Sequence, residues 1–373
     1  MAVEARVITG DGRTANLGPI RACINRILPP QVRVYAAQQA IAEAPENMPD
    51  FRLPPGTTPT RQELAALIGK KWQSGRRLRV RFMDGDPSVQ ARVRDVARRW
   101  SDFANITFDF GNHASADIRI SFREQGSWSY LGMDALGIPA DQATMNYGWL
   151  TPSSSDDEVE RVVLHEFGHA LGCIHEHQHP EGGIPWDKPA VYRYYAGPPN
   201  YWSPQQVDVN LFQTYSRTVT QFSEFDRQSI MLYPISEELT IGDFAVGWNR
   251  ELSPTDKAFM GTLYRRPVDG ATLEVDGAPV EATIGRPGEV DTYRFRIQAA
   301  GRYVVETSGP TDVVMALHGP DDDGRRVAWD DDSGRGKNAR IAARLEPGAY
   351  SLKVQHFWSG AIGPYSVALR LAK

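Results

Sequence analysis

Cysteine is scarce in this chain of 373 residues: only Cys23 and Cys173 are present, far apart in the sequence. So few exclude a disulfide framework and a zinc site built on cysteines. Long hydrophobic runs are also missing, and no stretch approaches the roughly 18 apolar residues that a spanning helix needs. Neither charge sign dominates, with 41 Lys and Arg against 46 Asp and Glu for a net charge of −5. That balance argues against nucleic acid or an anionic membrane as the main partner. Glu4, Arg6, Asp11 and Arg13 stand where a secretory signal would place its apolar stretch, so no export signal is legible. Internal repeats and Gly-Gly-x-Gly-x-Asp calcium repeats are absent too.

What is present reads as globular, with 41% hydrophobic and 23% charged residues and a length that suits two to three domains. Glu43–Thr60 carries Pro45, Pro49, Pro54, Pro55 and Pro59 and reads as a loop or linker. In Arg77–Asp84, Leu78, Val80 and Phe82 alternate with Arg77, Arg79 and Arg81, the period of a half-buried strand whose arginines face solvent. Val89, Val93, Val96, Trp100 and Phe103 follow at helical spacing behind the start signal Asp86-Pro87. Ile106–Phe110, Ala116–Phe122 and Ala143–Leu150 read as further strands. The grammar changes near Pro267–Gly270. Beyond it Tyr293/Phe295/Ile297, Tyr350/Leu352/Val354 and Tyr365/Val367/Leu369 alternate with polar residues between Gly, Pro and Asp turns, as in a β-sandwich or jelly roll.

The chemistry is concentrated in His165-Glu166-Phe167-Gly168-His169-Ala170-Leu171-Gly172-Cys173-Ile174-His175, a His-Glu-x-x-His-x-x-Gly-x-x-His pattern. A capping box of Ser155 and Glu158 starts the helix that carries it. Four residues advance a helix by about 6 Å with a net rotation of about 40°, so His165 and His169 share one face. Gly172 takes positive φ, ends the helix and lets His175 swing back as a third nitrogen ligand. Three neutral imidazoles suit one Zn2+ per chain and leave its fourth position for water. Glu166, beside that water, has the position of a general base and not of a ligand. His177 and His179 carry no such spacing and read as surface residues or as supports behind the ligands.

The extended motif, together with Ser229-Ile230-Met231-Leu232-Tyr233, resembles the metzincin zinc peptidases and in particular the astacin family. Glu176 directly after the third His favours the astacin-like branch. The resemblance implies a Met-turn with Met231 beneath the metal site, and Tyr233 reaching the metal or the oxyanion of the transition state. Gly126-Ser127-Trp128-Ser129-Tyr130-Leu131-Gly132 is similar to the astacin edge-strand segment Cys-Trp-Ser-Tyr-x-Gly, with Ser127 in place of the cysteine. It implies that Trp128, Ser129 and Tyr130 bind an extended peptide, while the residues alone also allow Trp128 and Tyr130 to pack under a loop. The resemblance spans about Lys70–Arg266.

The C-terminal segments Gly288–Phe295, Val327–Asp332 and Leu345–Tyr350 resemble the bacterial pre-peptidase C-terminal domain. Asp330–Asp332 offer carboxylates to Ca2+, though one triplet supplies too few ligands and a solvated turn explains it as well. Trp329, Phe357 and Trp358 read first as core or edge packing and second as a platform for glycan or protein. Residues 1–69 match no segment of either family and are a propeptide-like piece or an added subdomain; Cys23, isolated, reads as structural rather than as a thiolate plugging the zinc.

The expected architecture is an N-terminal extension over 1–69, an α+β metzincin-type catalytic domain over 70–266 with a twisted mixed sheet and an active-site helix, and an all-β sandwich over 271–373. The expected activity is a zinc-dependent endopeptidase acting on proteins or peptides. A secreted location is implied by the resemblance, and matrix or glycan attachment would fall to the C-terminal domain. The competing reading is a catalytically silent zinc scaffold, which the presence of Glu166 disfavours; a zinc hydrolase acting on a non-peptide bond is set aside by the resemblance alone.

Overall fold

A computed structural model describes residues 5–8, 14–18, 20–44, 47, 69–214, 225–266 and 268–372. Most of the proline-rich stretch Glu43–Thr60 lies outside the described residues. The chain forms two compact units, one of residues 1–72 with 76–263 and one of 73–75 with 264–373. No helix among the described residues is long and apolar enough to cross a membrane.

The first unit opens with a hairpin of β1 (Ala5–Ile8) and β2 (Thr14–Gly18) and a helix over Pro30–Glu43. Its central sheet is mixed, in the order β4 (Thr107–Phe110), β3 (Arg77–Phe82), β5 (Ile118–Ser121), β7 (Met145–Tyr147), β6 (Ser127–Ser129). The first four run parallel and β6 is antiparallel to β7, which leaves β6 at an edge. Leu78 and Val80 are buried as the alternation predicts, while Arg77 pairs with Asp109 and Arg79 with the buried Asp117.

The crossover helix Pro87–Ala97 is capped by Asp86, whose side chain accepts the Ser88 amide, and it buries Val89, Val93 and Val96. The helical pattern continues to Trp100, but the chain tightens into a 3-10 turn over Arg98–Asp102. That turn places the Trp100 indole to donate to Leu164 O at 3.0 Å, so the crossover directly braces the helix that carries the His-Glu-x-x-His pattern. That helix runs Asp156–Ala170. Only half of its expected capping box forms: Ser155 accepts the Glu158 amide, but the Glu158 carboxylate is committed to the Trp149 indole and to Arg161.

The second unit is an all-β sandwich. One sheet has the order β13 (Arg326–Asp330), β12 (Val313–His318), β15 (Gly348–His356), β10 (Val290–Ile297), β8 (Asp269–Thr272); the other is β14 (Arg340–Leu345), β11 (Gly301–Ser308), β16 (Gly363–Leu371), β9 (Val280–Ile284). All nine apolar residues that the alternation assigned inward, from Tyr293 to Leu369, are buried in the core between the sheets. Core packing fails for Trp329, Phe357 and Trp358, which are 52%, 47% and 63% exposed. Strand parity explains the first: Ala328 sits opposite the buried Leu317, which turns Trp329 to the outer face of an edge strand. The Asp330 carboxylate accepts the Ser333 and Arg340 amides and so holds its own turn.

Candidate metal centre and active-site cleft

His165 and His169 lie on one face of the Asp156–Ala170 helix, and Gly172, at φ 97, breaks it where the motif requires. A side chain there would be strained, because L-residues rarely adopt this conformation. The chain then turns so that His175 returns to the other two: ring centroids are 4.8 Å apart for His165 and His169, 5.1 Å for His165 and His175, and 4.4 Å for His169 and His175. All three are buried.

The hydrogen bonds of the imidazoles test whether a cation fits. His165 Nδ1 lies 2.8 Å from Ile230 O and His169 Nδ1 lies 2.8 Å from Cys173 O. A carbonyl can only accept, so each Nδ1 carries the proton and each Nε2 keeps its lone pair. Those lone pairs converge: His169 Nε2 and His175 Nε2 are 3.0 Å apart, and His165 Nε2 is buried with no hydrogen-bond partner among the described residues. Burial also keeps the rings neutral, pushing His169 down to about 4 and His165 and His175 well below the usual histidine range. Three neutral imidazoles, two of them with Nδ1 held by carbonyls, are a zinc donor set, and the residues fit the ion.

The expected open fourth position is where the structure departs from the sequence reading. Cys23 completes the cluster: one donor atom from each of Cys23, His165, His169 and His175 lies within 4.8 Å of the others. Its thiol donates to Glu166 Oε2 at 3.3 Å. Glu166, fully buried, has its carboxyl pushed up by burial to about 8. The Tyr233 hydroxyl donates to Cys23 O, and its ring packs on His165, His175 and His177. The segment around Cys23 also takes the sheet edge, since the Ile24 amide donates to Ser127 O at 3.1 Å. Trp128 is buried with the Arg26 guanidinium 4.1 Å over its ring, and Tyr130 meets Trp128 edge to face at 5.9 Å. Ser129 is buried in the same strand, next to Cys23.

Met231 lies under the helix as the Met-turn resemblance implies, and the residue that admits it is Gly168. A Cβ there would meet the Met231 sulfur at 2.4 Å. A glycine in mid-helix costs about 1 kcal/mol against alanine, so its presence was a readable sign of close approach. The Glu176 amide donates to Met231 O at 3.0 Å and its carboxylate accepts the Asp226 amide at 2.7 Å, tying the residue after the third His to the turn. His177 and His179 are supports rather than surface: both are buried, His177 Nε2 donating to Asn210 O and His179 Nδ1 accepting the Glu181 amide.

No family model matches this chain. It is similar to the structure of myroilysin, at 54% identity over 53% of this chain and 97% of that one, with a TM-score of 0.52. The chain belongs to the myroilysin family of metzincin zinc metalloproteases. Among curated proteins it is 29% identical to the interstitial collagenase of Bos taurus over 99 residues, 23% of this chain, and it spans about a fifth of that protein, 21%. The β-sandwich is similar to the pre-peptidase C-terminal domain of the Bacillus anthracis collagenase, at 17% identity and a TM-score of 0.24 over 28% of this chain. As a member of the myroilysin family the chain is a zinc-dependent hydrolase of peptide bonds in proteins.

Proposed function

We propose that the chain is an astacin-like endopeptidase in a latent state, with one zinc per chain held by His165, His169 and His175 and Cys23 supplying the fourth donor. The observation that carries this reading is the convergence of four buried donor atoms within 4.8 Å, with two imidazoles already oriented by backbone carbonyls. Zinc, when bound, supplies Lewis acidity, polarising a carbonyl and lowering the pKa of water from 15.7 towards about 7.

The chain's own residues do the rest. Glu166, buried beside the cluster, takes a proton from the attacking water and delivers it to the departing amine. Tyr233 donates its hydroxyl to the oxygen of the scissile carbonyl once the Cys23 carbonyl no longer holds it. The peptide lies along β6, where the Ile24–Ser127 bond supports strand addition at the edge formed by Trp128, Ser129 and Tyr130.

In this reading residues 1–69 are a propeptide-like segment, 70–266 the peptidase and 271–373 an accessory domain. Secretion fits a protease of this class. The exposed Trp329, Phe357 and Trp358 support attachment of the C-terminal domain to matrix or glycan. Calcium at Asp330–Asp332 gains no support, because Asp330 is committed to its turn. Burial of Glu166 beside the metal cluster weighs against the silent-scaffold reading.

The deciding experiment is elemental analysis of the full chain together with mass-spectrometric mapping of cleavage sites in a mixed peptide library, using Cys23→Ala with and without a chelator. One zinc per chain and cleavage that stops on chelation are expected. Stoichiometric zinc surviving in His169→Ala would place the ligands elsewhere.

A further inference from the structure

We infer that Asp256, remote in sequence from the motif, is a positioning residue for the metal ligands; the inference rests on the zinc reading above. Asp256 lies in the first turn of the Pro254–Leu263 helix and is buried. It forms a reciprocal cap with Ser253: the Asp256 amide donates to Ser253 Oγ and the Ser253 amide donates to Asp256 Oδ2, both at 2.9 Å. A cap needs no more than this pair.

The carboxylate makes two further bonds, and both go to the Met-turn. Oδ2 also accepts the Ile230 amide at 2.9 Å, and Oδ1 accepts the Ser229 hydroxyl at 2.7 Å. Ser229 Oγ in turn accepts the Met231 amide at 3.1 Å. One carboxylate therefore fixes the backbone of Ser229–Met231, and that backbone meets the ligands at two places. Ile230 O receives Nδ1–H of His165, and Met231 O receives the amide of Glu176, next to His175. A second arm closes the circuit: Ser253 Oγ donates to Asp226 Oδ2 at 2.6 Å, and the Asp226 amide donates to Glu176 Oε1.

The physical consequence has two parts. Ile230 O and the Met231 amide belong to one planar peptide unit, and rotating it would cost two buried hydrogen bonds, the one from His165 Nδ1 and the one to the Ser229 hydroxyl that Asp256 holds, so the carbonyl direction and hence the His165 ring plane are held. The relay from Asp256 Oδ1 through the Ser229 hydroxyl to the Met231 amide also polarises that peptide unit, which strengthens Ile230 O as an acceptor and raises the basicity of the imidazole that donates to it. Asp256 acts on the metal through Ser229–Ile230 and His165 and touches no reacting atom.

The test measures zinc affinity by chelator competition, the absorption spectrum of the cobalt-substituted protein, and thermal stability, for the full chain and its variants. Asp256→Ala is expected to weaken zinc binding by about 10–100-fold and to shift the cobalt spectrum. Asp256→Asn, which keeps an acceptor for the two amides, should recover most of that affinity. Lowered thermal stability with unchanged zinc affinity and an unchanged cobalt spectrum would mean that Asp256 only caps its helix, and the inference would fall. Should Asp256→Ala not fold, Ser229→Ala leaves the Ser253–Asp256 cap intact and carries the test alone: weaker zinc binding supports the inference and wild-type binding overturns it. If the wild-type chain binds no zinc, the reading of the site fails first, an outcome distinct from a zinc-loaded wild type with indifferent variants.

Discussion

The Cys23 thiol and the Glu166 carboxylate are in direct contact at 3.3 Å, although 143 residues separate them in the chain. The sulfur thus sits on the group proposed to activate water, and an extended segment that carries it lies on the edge strand. A substrate carbonyl and this segment cannot occupy the site together.

Removing the thiol is therefore expected to activate the full chain. Cys23→Ala should raise kcat/KM on a short fluorogenic peptide above the wild-type value. The rise should be partial, because the Ile24–Ser127 hydrogen bond and the Tyr233 bond to the residue 23 carbonyl do not depend on the side chain. Equal turnover by the two proteins would mean that Cys23 does not restrain the site.

In the Cys23→Ala background, Glu166→Ala should retain zinc by elemental analysis and lose cleavage, since the carboxylate serves the water and not the ion. Tyr233→Phe should lower kcat by about 10²–10³, the usual cost of one oxyanion donor, with a smaller change in KM. Near wild-type turnover by the Glu166 variant would remove the proposed mechanism.

Gly168→Ala sets helix propensity against packing. Propensity alone predicts a gain of about 1 kcal/mol, but the added methyl would press on the Met231 sulfur, and overpacking of this kind costs about 1–3 kcal/mol. A net loss of stability is expected in thermal melts. The loss should be less than additive with Met231→Ala, because the two residues share one contact. A stabilised Gly168→Ala protein would show that Met231 moves aside freely.

The β-sandwich carries its own pH dependence. Burial pushes the Glu289 carboxyl from 4.5 up to about 7, and Asp291 beside it is raised as well. Between those values the folded unit binds more protons than the unfolded chain, so its stability falls as pH rises from about 4.5 to about 7. Hydrogen exchange at β15 amides should quicken over that interval beyond the intrinsic rate, and Glu289→Gln should flatten the trend. A slope of the opposite sign would contradict the assignment.

Much of the fold and of the histidine cluster is legible in the residues alone because both follow from short-range backbone periods. The four-residue step from His165 to His169 fixes their shared helix face, Gly172 permits the turn to His175, and period-two alternation marks Tyr293, Phe295 and Ile297 as core. The Ser155–Glu158 pair failed as a full capping box because Trp149 and Arg161 compete for the same carboxylate, and Trp149 reaches it only in the folded chain.

By itself the sequence determined that a helix with a glutamate between two histidines on one face stands ahead of a β-sandwich, since spacing and alternation are local properties of a polypeptide. Tertiary structure alone decided that Cys23 faces the histidines, that Asp256 holds the turn beneath them, and that Trp329 is left to solvent. An isolated cysteine or aspartate has no period to betray its partner. Its role depends on which distant atoms the packed core brings within hydrogen-bonding reach, and that is settled only when the chain closes on itself.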